Sequence, residues 1–157
     1  MDLSVDSPWA RQLVALRTQI SDMLKSEIES MPGRVRRLLR PRPSKEIRPG
    51  ATLDAGDVTE VETLIEFVGA CRNFGDELAI SEMTHRTYSE LQQYLDTTNP
   101  TLLDGLRHAG ADDRAFRQSQ VDESARFCGK AFSKDYASLL SKASEVAASS
   151  EHKTAKA

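Results

Sequence analysis

The sequence predicts an all-α protein, a bundle of three to five helices, and three observations support this fold class. Apolar residues recur at steps of three and four over most of the chain, as on one face of an α-helix. No period-two alternation extends beyond a few residues, and no Asn-Gly or Asp-Gly turn lies between two β-branched runs. A length of 157 residues is typical of one domain, which we assign to residues 1–148, with a disordered tail at 149–157.

The first helix is predicted over residues 7–31. Ser7 is a favourable N-cap, and Pro8 fits the first helical position, where the missing N–H costs nothing. Pro32 and Gly33 predict the end of the helix. Its apolar face consists of residues spaced by three or four: Trp9, Leu13, Leu16, Ile20, Leu24, Ile28 and Met31.

Basic residues concentrate after this helix. Residues 34–48 hold seven of the 21 basic residues and one of the 24 acids, a net +6 that leaves −9 on the rest of the chain. Pro41, Pro43 and Pro49 exclude a long helix, so residues 34–56 are predicted as a basic segment and loop with one or two helical turns. The candidate anion- or partner-binding residues are Arg34, Arg36, Arg37, Arg40, Arg42, Lys45 and Arg48.

Several interpretations of the basic segment stay open. It folds back on acidic helices or remains a solvated loop, it binds the acidic surface of a partner protein, or it binds nucleic acid or an anionic membrane surface. Arginine suits phosphate because its planar fork donates two parallel hydrogen bonds. A sequence pI of about 5.7 and the absence of aromatic residues between Arg34 and Arg48 argue against nucleic acid.

A long central helix is predicted over residues 57–97, with Asp57 as N-cap and Glu60 completing a capping box. No proline interrupts this stretch, and about 40 residues of helix would be about 60 Å long. The flanking helices are shorter, so part of its apolar face is expected to remain open for another chain. The candidate interface residues are Trp9, Leu64, Phe67, Phe74 and Leu78.

Two further helical regions follow. Asn99 and Pro100 predict the end of the long helix, and a short helix is predicted over residues 101–109. The pattern over residues 112–148 indicates one bent helix or two helices. Gly129 and the cap-like Ser133 place the bend near the middle: a glycine is a weak helix former and a serine is a common N-cap.

The middle of the long helix interrupts its apolar face with polar residues. Glu82 and His85 share a helix face, and Glu-x-x-His is the unit that di-iron bundles use twice, but it occurs once here. We therefore expect no metal and no cofactor, and a polar layer that sets helix register is the preferred interpretation. This layer comprises Arg72, Glu77, Glu82, His85 and Arg86.

No motif for catalysis is found. Cys71 and Cys128 are far apart and form no CxxC pair, which argues against a disulfide scaffold and a Cys-based zinc module and favours buried thiols in a reducing compartment. Gly-rich phosphate loops and G-x-S-x-G elbows are absent from the sequence. We assign no catalytic residue, and a metal-dependent helical enzyme is the least favoured function.

Together these patterns predict a non-catalytic protein-interaction module, a small cytoplasmic adaptor, homo-oligomer or assembly subunit. Its association would use the long amphipathic helix and the basic segment, with an accessory nucleic-acid- or anionic-surface-binding protein as the alternative. Trp9 would pack the first helix onto the bundle or anchor a partner. No apolar stretch reaches transmembrane length, and residues 1–25 lack a secretory-signal pattern, so a cytoplasmic location is expected.

Overall fold

The computed structural model describes residues 7–71 and 78–154, and the side chains of residues 78, 79 and 150–154 lie outside this description. The described residues form five α-helices and no strand, which confirms the all-α prediction. A short 3₁₀ helix, Ser44–Glu46, lies between the first two helices. The α-helices are α1 (Pro8–Leu39), α2 (Ala55–Cys71), α3 (Leu78–Arg107), α4 (Arg114–Ala131) and α5 (Lys134–Thr154).

The start of α1 agrees with the sequence. Ser7 is the N-cap, and its hydroxyl oxygen accepts a hydrogen bond from the Ala10 N–H at 3.1 Å. Pro8 occupies the first helical position, where no intrahelical acceptor is needed.

The end of α1 differs from the sequence prediction. The helix continues through Pro32 and Gly33 to Leu39, so Arg34, Arg36 and Arg37 lie on α1 itself and not on a separate helical turn after it. An interior proline costs about 3 kcal/mol. The extra turns bury three large apolar side chains, each worth about 1.5–3 kcal/mol, and this burial outweighs the proline. These side chains are Val35, Leu38 and Leu39.

Helix α3 also passes through a proline. It runs to Arg107 across Pro100, so the separate short helix predicted at 101–109 is instead the last part of α3. The same physical reason applies, because Leu102 and Leu106 beyond the proline are buried.

The long central helix of the prediction is two helices, α2 and α3, packed side by side. The Tyr88 hydroxyl of α3 lies 3.5 Å from the Ile65 carbonyl oxygen of α2. Residues 23 apart in one straight helix would be about 34 Å apart, so the chain reverses direction between the two helices. Helix α2 starts at Ala55, where the Asp54 carboxylate, not the predicted Asp57 cap, accepts the Asp57 N–H at 3.0 Å.

The C-terminal region contains two helices. Helix α4 ends at Ala131 and α5 begins at Lys134, and the Ser133 hydroxyl oxygen accepts the Tyr136 N–H at 3.2 Å. Helix α5 continues to Thr154, beyond residue 148 where the predicted helix ends. It packs on α3 and α4, whereas α1 packs on α2, α3 and α4.

One apolar core joins all five helices. Helices α1 and α3 run in the same direction, since Glu29 pairs with Arg86 and, further along both helices, Arg36 pairs with Glu90. In α1 the fully buried residues begin at Ile28, and the half-buried Leu24 also packs against the core. The largest fully buried apolar side chains are Ile28, Met31, Val35, Leu39, Ile65, Val68, Leu91, Leu95, Leu106, Val121 and Phe127.

Candidate functional site

The N-terminal half of α1 contributes nothing fully buried to this core. Every residue from 8 to 27 is exposed or half-buried, a stretch about 30 Å long. Trp9 is 59% exposed, so it does not pack α1 onto the bundle. We use the name α1 stripe for the six large apolar side chains exposed here: Trp9, Leu13, Val14, Leu16, Ile20 and Met23.

The four interface residues predicted on the long helix are not part of the α1 stripe. Leu64 is buried and Phe67 is half-buried against the core, so both hold α2 in the bundle, and both also line a surface groove of about 420 Å³ beside α1. Phe74 and the side chain of Leu78 lie outside the described residues. Six of the eight large exposed apolar side chains among the described residues lie on α1, where Trp9 was one of the candidate interface residues.

The three described residues of the predicted polar layer are exposed and do not lie inside the bundle. Glu82 and His85 are on the solvent-exposed face of α3, and Arg86 pairs across to Glu29 of α1 at 3.7 Å. Arg72 and Glu77 lie outside the described residues. Among the described side chains, no three His, Cys, Asp or Glu groups come together as metal ligands would.

The basic segment is divided among three places. Arg34, Arg36 and Arg37 lie on the last turns of α1, where the helix dipole favours cations. Lys45 is in the 3₁₀ helix and Arg48 in the loop that follows it. Two ion pairs are formed by this segment within the described residues, Arg34 with Glu27 at 3.9 Å and Arg36 with Glu90 at 3.4 Å, both exposed.

Four of the arginines meet in one groove between the end of α1 and α3. Its volume is about 610 Å³, and no carboxylate of the described residues lines it. The Arg36 guanidinium lies over the Tyr94 ring, 5.3 Å from its centroid, and the Arg42 guanidinium lies over the Phe116 ring at 5.2 Å. We call it the arginine groove; its lining residues are Arg36, Arg37, Arg40, Pro41, Arg42, Tyr94 and Thr98.

Buried polar contacts hold the floor of this region in place. The Gln120 side-chain amide of α4 donates to the carbonyl oxygens of Leu38 at 3.1 Å and Arg40 at 3.0 Å. These carbonyls end α1 and would otherwise lack partners. Gln120 therefore fixes the last turn of α1, from which the arginines extend.

A second set of contacts anchors the loop after α1. The Asp113 carboxylate accepts hydrogen bonds from the Arg117 Nε at 2.8 Å, the Ser44 hydroxyl at 2.7 Å and the Gly110 N–H at 2.8 Å. Arg117 also donates to the Arg42 carbonyl oxygen at 3.1 Å. Burial acts to raise the pKa of Asp113, but the hydrogen bonds from Arg117 and Ser44 outweigh it and hold this pKa below its usual value.

A polar cluster that the sequence did not predict joins α3, α4 and α5; it is buried at Asn99 and Ser124 and exposed at Asp96. The Ser124 hydroxyl donates to Asn99 Oδ1 at 2.6 Å, and the Tyr136 hydroxyl donates to the Asp96 carboxylate at 2.7 Å. Burial raises the pKa of the Cys128 thiol to about 11, so this thiol is protonated at neutral pH and is a poor nucleophile. The cluster therefore stabilises helix packing; a proline at position 100, which suggested a helix end, hid the inward position of Asn99.

Comparison of the chain with known protein-family models, with curated proteins and with solved structures finds no match. In the described part of the chain no helix has both the length and the apolar character needed to span a membrane. Two surfaces of this structure, the α1 stripe and the arginine groove, are therefore the candidate functional sites.

Proposed function

We propose that the protein is a non-catalytic association module that pairs with a second copy of itself through the α1 stripe. The observation that carries this proposal is the exposure of six large apolar side chains on one helix, between 48% for Ile20 and 65% for Val14 and Met23. Scattered apolar residues are normal on a protein surface, but a contiguous row of them marks an interaction surface.

The area of the α1 stripe suits a second copy. The six side chains together expose on the order of 600 Å², the upper end of what a monomer ordinarily leaves open in one patch. Two copies face to face would bury about 1,200 Å², the lower end of the range for specific, stable interfaces. A two-fold axis lets one surface serve both chains without a further partner.

The spacing of the α1 stripe also supports helix pairing. Residues 9, 13, 16, 20 and 23 follow steps of four, three, four and three, the period of a seam between two paired helices. A helical segment of this length is marginal in water without packing, and a partner helix supplies that packing. Charges of both signs flank the seam, so like-charge repulsion does not oppose pairing; they include Arg11, Asp22, Lys25 and Glu27.

Trp9 provides a direct test because it is the one tryptophan of the chain and belongs to the α1 stripe. We expect its emission to shift to the red when the protein is diluted from about 100 μM to about 0.1 μM, as paired helices separate. The double variant Leu16→Gln/Ile20→Gln should show the red emission at every concentration. Both positions are about half exposed, so the bundle should remain folded, which circular dichroism checks.

The matched control is Leu139→Gln/Val146→Gln on α5, whose side chains are 67% and 65% exposed but lie outside the α1 stripe. The tryptophan emission of this control should shift on dilution as it does in the unmodified protein. Pairing through this surface would be rejected if the emission of the unmodified protein does not change with concentration and equals that of the Leu16→Gln/Ile20→Gln variant.

A further inference from the structure

We propose that the arginine groove binds a compact polyanion that carries two or more phosphoryl groups. This inference is independent of self-association, because the groove lies at the opposite end of α1 from the α1 stripe. It starts from an imbalance of charge: four arginine side chains line one groove, and none of the described carboxylates lines it with them.

Most hydrogen-bond donors of these guanidinium groups are unused. Arg36 donates to Glu90 at 3.4 Å, a long contact, while Arg37 and Arg40 form no ion pair with the described residues. The buried Nε of Arg42 has no hydrogen-bond partner. Because Arg37 and Arg40 are exposed and form no ion pair with the described carboxylates, their guanidinium donors remain for an anionic ligand.

Aromatic rings hold two of the arginines in position without using their donors. Stacking over Tyr94 and Phe116 orients the planes of the Arg36 and Arg42 guanidinium groups. One Arg36 donor contacts Glu90 and the Arg42 Nε is buried, so the remaining N–H groups are those left for a ligand. A carboxylate partner would hold an arginine equally well but would occupy those N–H groups. The arrangement is therefore organised for an acceptor from outside the protein.

The helix dipole alone does not explain this cluster. It favours cations in the last turn of α1, which accounts for Arg36 and Arg37. Arg40 and Arg42 lie beyond the last helical residue. A neighbouring groove of about 490 Å³ also contains Arg37 and Arg42, with Arg34, but there Asp57 and Glu60 offset most of the charge.

The chemistry and size of the groove indicate the class of ligand. The arginine fork matches the oxygens of a phosphoryl group, and four forks exceed what one such group engages. A volume of about 610 Å³ lies within the range of small-molecule sites. An extended nucleic acid would need a longer basic track, whereas this chain carries a net charge of −3.

Calorimetric titration of the full chain with tripolyphosphate tests the proposal, with inorganic phosphate and a short DNA duplex as further titrants. We expect one tripolyphosphate per chain, bound at least about tenfold more tightly than inorganic phosphate. Arg37→Gln/Arg40→Gln should weaken tripolyphosphate binding by at least about tenfold. Both side chains are exposed and unpaired, so this variant should stay folded.

The matched control is Lys45→Gln/Arg48→Gln, which removes the same charge from the same basic segment outside the groove. It should change binding less than about twofold, because only general screening is altered. Equal weakening in both variants would overturn the proposal in favour of diffuse attraction. No tripolyphosphate binding, or tight binding of the DNA duplex alone, would overturn it as well.

Discussion

Replacing Gln120 by methionine should destabilise the fold by about 2–3 kcal/mol, since methionine keeps the length of the side chain and removes its donors. Gln120 is 1% exposed, and its amide donates to the carbonyl oxygens of Leu38 and Arg40. Each hydrogen bond contributes about 1 kcal/mol net, and a buried carbonyl left unpaired costs about 1–3 kcal/mol. The loss of stability should lie in the upper half of the predicted range if no water molecule donates a hydrogen bond to the Leu38 carbonyl oxygen.

Urea unfolding followed by far-UV circular dichroism measures this change. With a slope of about 2 kcal/mol per molar, the midpoint should fall by about 1 M while the slope stays unchanged. All variants are compared at one chain concentration, because self-association also contributes to stability. Gln92→Met is the control, since Gln92 is exposed on α3. A shift in the Gln120 variant no larger than in this control would refute the role of Gln120 as a cap of α1.

Three further predictions follow from the fold. Asp113→Asn should lower the free energy of unfolding by about 3 kcal/mol at pH 7. Because the pKa of Asp113 is lower in the folded protein, that stabilisation is complete above about pH 4 and disappears as the pH falls through the lowered pKa, so unfolding curves of the two proteins should converge in acid. Gly33→Ala should raise stability by about 0.5–1 kcal/mol, because Gly33 is helical with nothing within 4 Å of an added Cβ, whereas Gly50→Ala should lower it, because Gly50 has φ of 73°; thermal unfolding distinguishes the two signs. The pKa of Cys128 is raised to about 11, so the folded state retains a proton that the unfolded state loses, and stability should fall between about pH 9 and pH 11, less steeply in Cys128→Ala; an equal slope in both proteins would contradict the burial of that thiol.

The fold class was predictable because helical periodicity is a local property. The cap at Ser7 and the break near Ser133 were found for the same reason. Helix ends at Pro32 and Pro100 were misplaced, because a local rule for proline cannot weigh the burial of Leu39 or Leu106 against distant helices. Boundaries therefore depended on tertiary packing that the local pattern does not contain.

The second error concerned which face of α3 is buried. Extending one apolar seam from α2 into α3 placed His85 inside the bundle, whereas the structure buries Thr84 and Thr87 instead. The Thr84 hydroxyl donates to the Ile80 carbonyl oxygen at 2.8 Å, so a polar residue is satisfied within its own helix. The buried face of α3 therefore includes threonines, which a pattern of apolar residues does not mark.

The candidate surfaces were predicted in part. Charge counting alone located the arginines, but their convergence depends on α1 continuing to Leu39 and on Tyr94 of α3 lying opposite. The apolar residues of α1 were identified with the correct spacing. Their exposure could not be predicted, because it depends on where α2 and α3 end beside α1.

Sedimentation equilibrium of the unmodified protein at about 20 μM tests self-association through α1 most directly. Pairing of two copies predicts a mass of twice the 17.4 kDa chain, and the Leu16→Gln/Ile20→Gln variant should return to 17.4 kDa. A mass of 17.4 kDa for the unmodified protein would contradict the proposed function. So would a mass of two chains that the double variant leaves unchanged.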